Sequence, residues 1–293
     1  MRTLTLTVTE AQAGRSVKTL LRREFHMAES LIARVKLRET GLQLNGQRVY
    51  TNAIVQAGDI LTAEVGDDDT GWEFFPMEAP LDILFEDEDL LILNKAAGMA
   101  VHGNTERNGD CTVANALAFY LGPGTRFHPV NRLDKGTSGV MAVAKSGYIH
   151  DRMRRQLHSK QFCRQYLAIT EGIVTPPAGQ ITLSIARDPN SRIKRKISAD
   201  GLPACTVYET VQTGKDWALL HLSLKTGRTH QIRLHCAAIG YPLVGDWLYG
   251  TEAPDKITRP ALHSAELELV HPITGQQMAF SAPLPEDMAV LMQ

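Results

Sequence analysis

The stretch HPVNRLDKGTSGVMAVAKS, from His128 to Ser146, sets a charged, glycine-rich segment directly against an apolar run. Val140 to Ala144 reads as a buried strand, because it shows no polar alternation and is bounded by turn-forming residues. Asp134 stands between Arg132 and Lys135, ahead of Gly136, Thr137, Ser138 and Gly139, a composition that favours a tight turn. Loops held this way by a rigid sheet often carry function. The residues alone leave a second reading open, an Asx-type turn that only caps the strand.

Similar short apolar runs recur on both sides: Leu81 to Phe85, Leu90 to Leu93, Tyr166 to Thr170, Ile181 to Ile185, Leu219 to Leu224 and Leu267 to Val270. Between them, Ala114 to Tyr120, roughly Tyr148 to Leu157, and Gln231 to Ile239 read as helices. Strands therefore dominate residues 79–293, and the spacing predicts an α+β domain, mixed but largely antiparallel in its sheet. Ahead of it, Val17, Leu20, Leu21 and Phe25 fall at helical spacing, and Glu29 to Arg38 forms a second short helix with a basic outer face. Leu42 to Leu44 then alternates into an Asn45-Gly46 turn, and Ile60 to Val65 follows Gly58-Asp59 as a further strand. These elements define a small α+β module, residues 1–66. Asp67-Asp68-Asp69-Thr70-Gly71 opens an acidic linker, residues 67–78, because adjacent like charges repel and resist burial. A chain of 293 residues suits this plan of one catalytic domain with a small appendage.

A second polar island is LKTGRTHQIRLHCAAIGYPLVGDWLYG, Leu224 to Gly250. Arg228 and Arg233 lie across a turn entering a helix, so one or both can face inward toward a carboxylate; either alone is more commonly a surface arginine. A third segment, Asn94 to His102, closes a strand and is placed to line the same cleft, with Lys95 at its head.

Several enzyme signatures fail. Lys225-Thr226-Gly227 has a Ser-x-x-Lys nearby, Ser191 to Lys194, but no Ser-Asp-Asn, so the penicillin-binding-protein set is incomplete, and Gly136-Thr137-Ser138-Gly139-Val140 lacks the second glycine of a nucleophile elbow. His230 and His235 do not have zincin spacing, and no phosphate-binding glycine loop follows a strand, so neither a metal nor a nucleotide cofactor is expected. Cys111, Cys163, Cys205 and Cys236 are widely separated and read as reduced thiols. No apolar run approaches the ~18 residues a membrane span needs, and a soluble cytoplasmic protein is expected.

The net charge of −1 argues against a nucleic-acid partner until its distribution is inspected. Residues 14–48 hold eight Lys or Arg against three acids, whereas residues 59–89 hold twelve acids and no base. Further basic runs follow at Arg152, Arg154, Arg155, Lys160 and Arg164, and from Arg187 to Lys196. Each alone fits a solvated face equally well.

In order and wording these segments resemble the RluA/RluD-type pseudouridine synthases: an NKPAG-like stretch, RLDxxTSG, KxYxA, then TGRTHQIRxH with xGxPLxGDxLYG. The resemblance covers roughly residues 80–280, and Asn131, Ala96 and Arg164 depart from the common pattern. More faintly, residues 1–66 resemble an RNA-binding domain first described in a small-subunit ribosomal protein. The resemblance implies isomerisation of uridine in structured RNA, with large-subunit ribosomal RNA ahead of transfer RNA, no cofactor and no obligate protein partner. It assigns the essential role to Asp134, as nucleophile on ribose or as base at the adjacent sugar carbon. Tyr166 corresponds to an active-site tyrosine that lies against the uracil ring.

Arg132 corresponds to a residue that enters the RNA stack where the target base has swung out. A carboxylate buried in such a pocket would be driven to its neutral form unless a cation stood beside it, and the resemblance points to Arg233, which matches the last arginine of the family's Gln-Ile-Arg, as the candidate. Asn131, Lys95, Arg228, Arg22, Arg23 and Lys36 complete the expected RNA contacts. The rival reading is a non-catalytic RNA-binding or assembly protein on the same fold, which would have no need of Asp134, Tyr166 and Arg233 together.

Overall fold

The computed structural model describes residues 1–67, 73–102, 109–124, 126–157 and 159–293. Most of the acidic stretch expected to form the linker, residues 68–72, lies outside the described residues.

The N-terminal module contains β1 (Arg2–Thr7), α1 (Val17–Arg23), α2 (Glu29–Val35), β2 (Leu42–Leu44), β3 (Gln47–Arg48) and β4 (Ile60–Val65). Its sheet runs β1-β4-β2-β3 with every pairing antiparallel. Ser16 starts α1 by accepting the Thr19 N–H on its side chain, which satisfies one of the free donors of the first turn. Asn45 and Gly46 both adopt left-handed backbone, at φ 54° and 78°, the geometry a two-residue hairpin turn requires.

The rest of the chain supplies β5 (Asp82–Glu86), β6 (Leu90–Lys95), α3 (Val113–Leu121), β7 (His128–Pro129), β8 (Ser138–Ala144), α4 (Gly147–Gln156), β9 (Phe162–Glu171) and β10 (Ala178–Ile181). It continues with β11 (Ile185–Arg187), β12 (Arg195–Ile197), β13 (Thr206–Thr213), β14 (Trp217–Leu224), α5 (Gln231–Ala238), β15 (Leu262–Val270), β16 (Gln277–Ser281) and α6 (Glu286–Ala289). Ten strands form one sheet in the order β10-β13-β14-β9-β15-β8-β6-β5, with β7 on β8 and β16 on β15. Every pairing is antiparallel except β8 with β15, so the α+β, largely antiparallel expectation holds. One expected strand differs, since Ile181 to Ile185 is not a single strand, and β1 and α6 were not expected. β10 ends at Ile181 on the sheet edge, and β11 turns away to pair with β12 and, through Ile185, with Leu202.

The absence of polar alternation in β6 and β8 has a direct cause. Successive strand residues point to opposite faces, and here both faces are covered. Leu90, Ile92, Val140, Ala142 and Ala144 join one core with α4 and the N-terminal module, while Leu91, Leu93, Met141 and Val143 join a second with α3 and α5.

The module is therefore docked, not merely tethered. Leu20, Leu21, Phe25 and Ile32 belong to the same apolar cluster as Tyr148, Ile149 and Met153 of α4. Tyr148 Oη donates to the Phe25 carbonyl at 3.0 Å, and Arg2 pairs with the buried Asp89. Asp67 accepts from His128 Nε2 at 2.7 Å and from the Gly147 N–H at 3.1 Å. Burial works against its charge, yet these partners hold its carboxyl below the usual aspartate value. Asp67, expected to be solvated by repulsion from its neighbours, is instead a clasp between the two parts.

Candidate active site

Asp134 sits in the loop between β7 and β8, in a turn closed by the Thr137 N–H donating to the Asp134 carbonyl at 3.0 Å. The loop is tied down through its carbonyls. Lys135 O accepts the Gly98 N–H at 2.8 Å, and Gly136 O accepts Arg259 Nη1 at 3.1 Å, while Arg259 itself is clamped by both oxygens of Asp287. Gly139, φ 107°, lets β8 approach β15 so closely that a Cβ there would meet Ser264 O at 2.1 Å. That approach brings Asp134 near Tyr166, which pairs with Ser264 across β15 from β9.

Asp134, Tyr166 and Arg233 line one cavity of about 660 Å³. Tyr166 is 5% exposed, and burial pushes its hydroxyl above the ordinary tyrosine value. Arg233, in the first turn of α5, is equally buried, and its Nη1 stands 3.7 Å from Asp134 Oδ2. Its tighter partner was not anticipated. Arg233 Nε and Nη2 donate to the two carboxylate oxygens of Asp246 at 2.7 and 2.6 Å. Asp246 is fully buried and also accepts the N–H groups of Leu248 and Tyr249. The inward-facing arginine reads as expected, but the carboxylate that holds it is Asp246, and Asp134 receives its charge without being locked to it.

Arg132 is exposed at the cavity mouth, and Asn131 and Arg228 line it. Asn131 Oδ1 accepts the Ala142 N–H at 2.8 Å, leaving its Nδ2 without a hydrogen-bond partner among the described residues. Lys95 differs from expectation. It is 3% exposed, and its ammonium donates to the carbonyls of Ala96, Met99 and Lys135, at 2.7, 2.8 and 3.4 Å. An ammonium enclosed by carbonyls is not presented to RNA; it ties the Asn94–His102 segment to the Asp134 loop. Burial, with Arg259 nearby, pushes Lys95 down to about 7. Arg22, Arg23 and Lys36 are exposed on the module, away from the cavity, and Arg22 pairs with Glu29. His150 and Arg154 of α4 line the cavity and lead from it toward the module.

A group of possible metal-ligand atoms, from Asp87, Asp89 and His271, lies outside this cavity within 4.8 Å of one another. Arg2 already supplies a cation there.

The family described as RNA pseudouridylate synthase matches residues 89–238. An uncharacterized RNA pseudouridine synthase of Bacillus subtilis is 34% identical over 92% of this chain and 96% of its own length. The chain belongs to the RluA/RluD-type RNA pseudouridine synthases. The ribosomal large subunit pseudouridine synthase D of Escherichia coli is 39% identical over 75% of this chain and 72% of its own. Among solved structures, human RNA pseudouridylate synthase domain containing 1 superposes with a TM-score of 0.58 at 26% identity, covering 71% of this chain and 86% of that one.

As a pseudouridine synthase, the protein breaks the bond from ribose to the uracil nitrogen, turns the ring and rejoins ribose to carbon 5. The side chains to which the sequence assigned no role here, Asp246, His230 and Tyr249, all lie inside the quoted TGRTHQIRLH and GDWLYG stretches. Their only signal was membership of those motifs, because nothing in their spacing reveals which charge faces which.

Proposed function

We propose that Asp134 is the reactive carboxylate, that Arg233 stabilises its ionised form and that Tyr166 stacks on the uracil ring near the proton that leaves carbon 5. The observation that carries this reading is the meeting of the three side chains in one cavity, with Arg233 within 3.7 Å of the Asp134 carboxylate. An ionised carboxylate in such a pocket serves either as nucleophile or as base. The RNA expected is large-subunit ribosomal RNA, supported by relatives named for that substrate. Residues 1–66 form an RNA-binding domain ahead of a catalytic domain at 79–293, acting in the cytoplasm. Arg132 fills the gap left by the flipped base, Asn131 and Arg228 meet nucleotides at the cavity, and Arg22, Arg23 and Lys36 meet phosphates farther away.

Asp134→Asn tests the assignment, since it keeps shape and removes charge. If the carboxylate contributes about 6 kcal/mol to the transition state, single-turnover pseudouridine formation falls more than ten-thousandfold, at ~1.4 kcal/mol per factor of ten. RNA binding is expected to survive. Substantial isomerisation by the variant, with reversion to aspartate excluded by mass spectrometry, would refute the role.

A further inference from the structure

His230 precedes α5 with φ 59°, left-handed backbone that few side chains adopt. Its side chain is 13% exposed, and Nε2 stands 3.9 Å from Asp134 Oδ2. On the far side of the ring, Nδ1 lies 3.0 Å from Tyr249 Oη. That same phenolic oxygen accepts the Arg195 backbone N–H at 2.8 Å. A phenol has one hydrogen, and with the Arg195 N–H arriving as a fixed donor, the hydroxyl hydrogen is free to point at Nδ1. Nδ1 then accepts, so the neutral imidazole carries its proton on Nε2, the nitrogen that faces Asp134.

We propose that His230 is a positioning residue for Asp134: with its tautomer set by Tyr249, it directs an Nε2–H at Oδ2 beside Arg233 and leaves Oδ1 to face the ribose. Arg233 Nη1 approaches the same oxygen at 3.7 Å. Both separations exceed a hydrogen bond, and contacts of this kind tighten when substrate closes the site. The guanidinium supplies charge, and the neutral ring adds direction without neutralising the carboxylate further. Tyr249 is well placed to coordinate the two, because the Arg233 guanidinium also lies 5.3 Å from the centre of its ring.

The groups facing His230 are Asp134, Arg233, Arg195, Asp246 and Tyr249. Burial lowers the ring below the ordinary histidine value, with Arg233 and Arg195 acting in the same direction against Asp134 and Asp246. At neutral pH the ring is uncharged. Protonation in acid would place a hydrogen on Nδ1, where Tyr249 already directs its own, and would set a full cation against Asp134.

The inference rests on Asp134 being the reactive carboxylate, so its first test is independent of activity. Nitrogen-15 spectra of histidine-labelled protein at neutral pH should show the Nε2–H tautomer at His230; an Nδ1–H tautomer would overturn the proposal even if Asp134 is essential. The second test is kinetic. His230→Gln retains an N–H near the Nε2 position and cannot titrate, so it should keep most of kcat and lose part of the fall in rate on the acid side. His230→Ala should lose roughly ten- to a hundredfold in kcat, the scale of a misplaced reacting group, with KM little changed. Equal losses in the two variants, or an unaffected alanine variant, would overturn the proposal. An active Asp134→Asn enzyme with the expected tautomer intact would instead remove the reading beneath it.

Discussion

Asp246→Asn separates the charge of the arginine from its placement. In the native site four hydrogen bonds end on the Asp246 carboxylate: two from Arg233 and one each from the Leu248 and Tyr249 N–H groups. Asparagine keeps one acceptor oxygen and turns an NH2 toward a guanidinium N–H, so Arg233 stays buried with half its clamp replaced by a clash of donors. Breaking one side of a buried ion pair costs about 3–5 kcal/mol, a large part of the roughly 5–15 kcal/mol that holds a domain together. At about 2–4 °C per kcal/mol for a chain of this order, Tm should fall by roughly 6–20 °C. The freed guanidinium also has Asp134 as its nearest remaining carboxylate, 3.7 Å away, and closing that distance would quench the reactive group. The variant should therefore lose kcat as well as stability. Replacing both partners, Arg233→Met with Asp246→Leu, should recover only part of the melting temperature: an apolar pair carries no desolvation penalty, but the Leu248 and Tyr249 N–H groups lose their acceptor. It should not recover activity. Thermal melting by circular dichroism and single-turnover isomerisation on the same preparations read the two effects. A single variant melting within about 2 °C of wild type, less than 1 kcal/mol, would refute the energetic argument, and an active double variant would refute the role of Arg233.

Three further perturbations test the same structure. Lys95→Met should lower activity by loosening the Asp134 loop while leaving the salt dependence of RNA binding unchanged; a shallower salt slope would restore Lys95 as a phosphate contact. Because native Lys95 is held at about 7 and an unfolded lysine titrates near ~10.4, its proton leaves the native state first. Wild type should accordingly gain stability relative to Lys95→Met as pH rises across that window, and lose the gain as pH falls through about 7; denaturant melts at several pH values measure this. Removing residues 1–66 should expose the apolar face formed by Leu90, Ile92, Val140 and Tyr148, giving an aggregating or markedly less stable chain; a soluble monomer with unchanged Tm would show that the docking contributes little. Arg154→Ala should reduce the slope of log affinity against log salt by roughly one unit if the α4 side of the cavity carries RNA phosphate, and an unchanged slope would exclude it.

What the sequence determined by itself is local. Periodicity exposed the helices of the module and the strands that dominate the larger domain, and turn chemistry marked Asn45-Gly46 and the Asp134 loop, because backbone preferences and side-chain period act over a few residues. Motif wording identified Asp134, Tyr166 and Arg233, and all three meet in one cavity. Tertiary structure decided the pairings that no local pattern encodes. Arg233 finds Asp246, thirteen positions away, and Gly245 beside it takes φ 72° in a place where a Cβ would strike Arg259 O at 2.5 Å. Lys95 turns inward because three carbonyls converge on it from two loops. Ile181 to Ile185 has one apolar pattern but two partners, so it divides where the sheet ends. The docking of residues 1–66 depends on Arg2 reaching Asp89 and Phe25 reaching Tyr148, which are 87 and 123 positions apart. Charges and apolar faces of this kind state what must be buried or paired, while the order of strands in the sheet selects the partner.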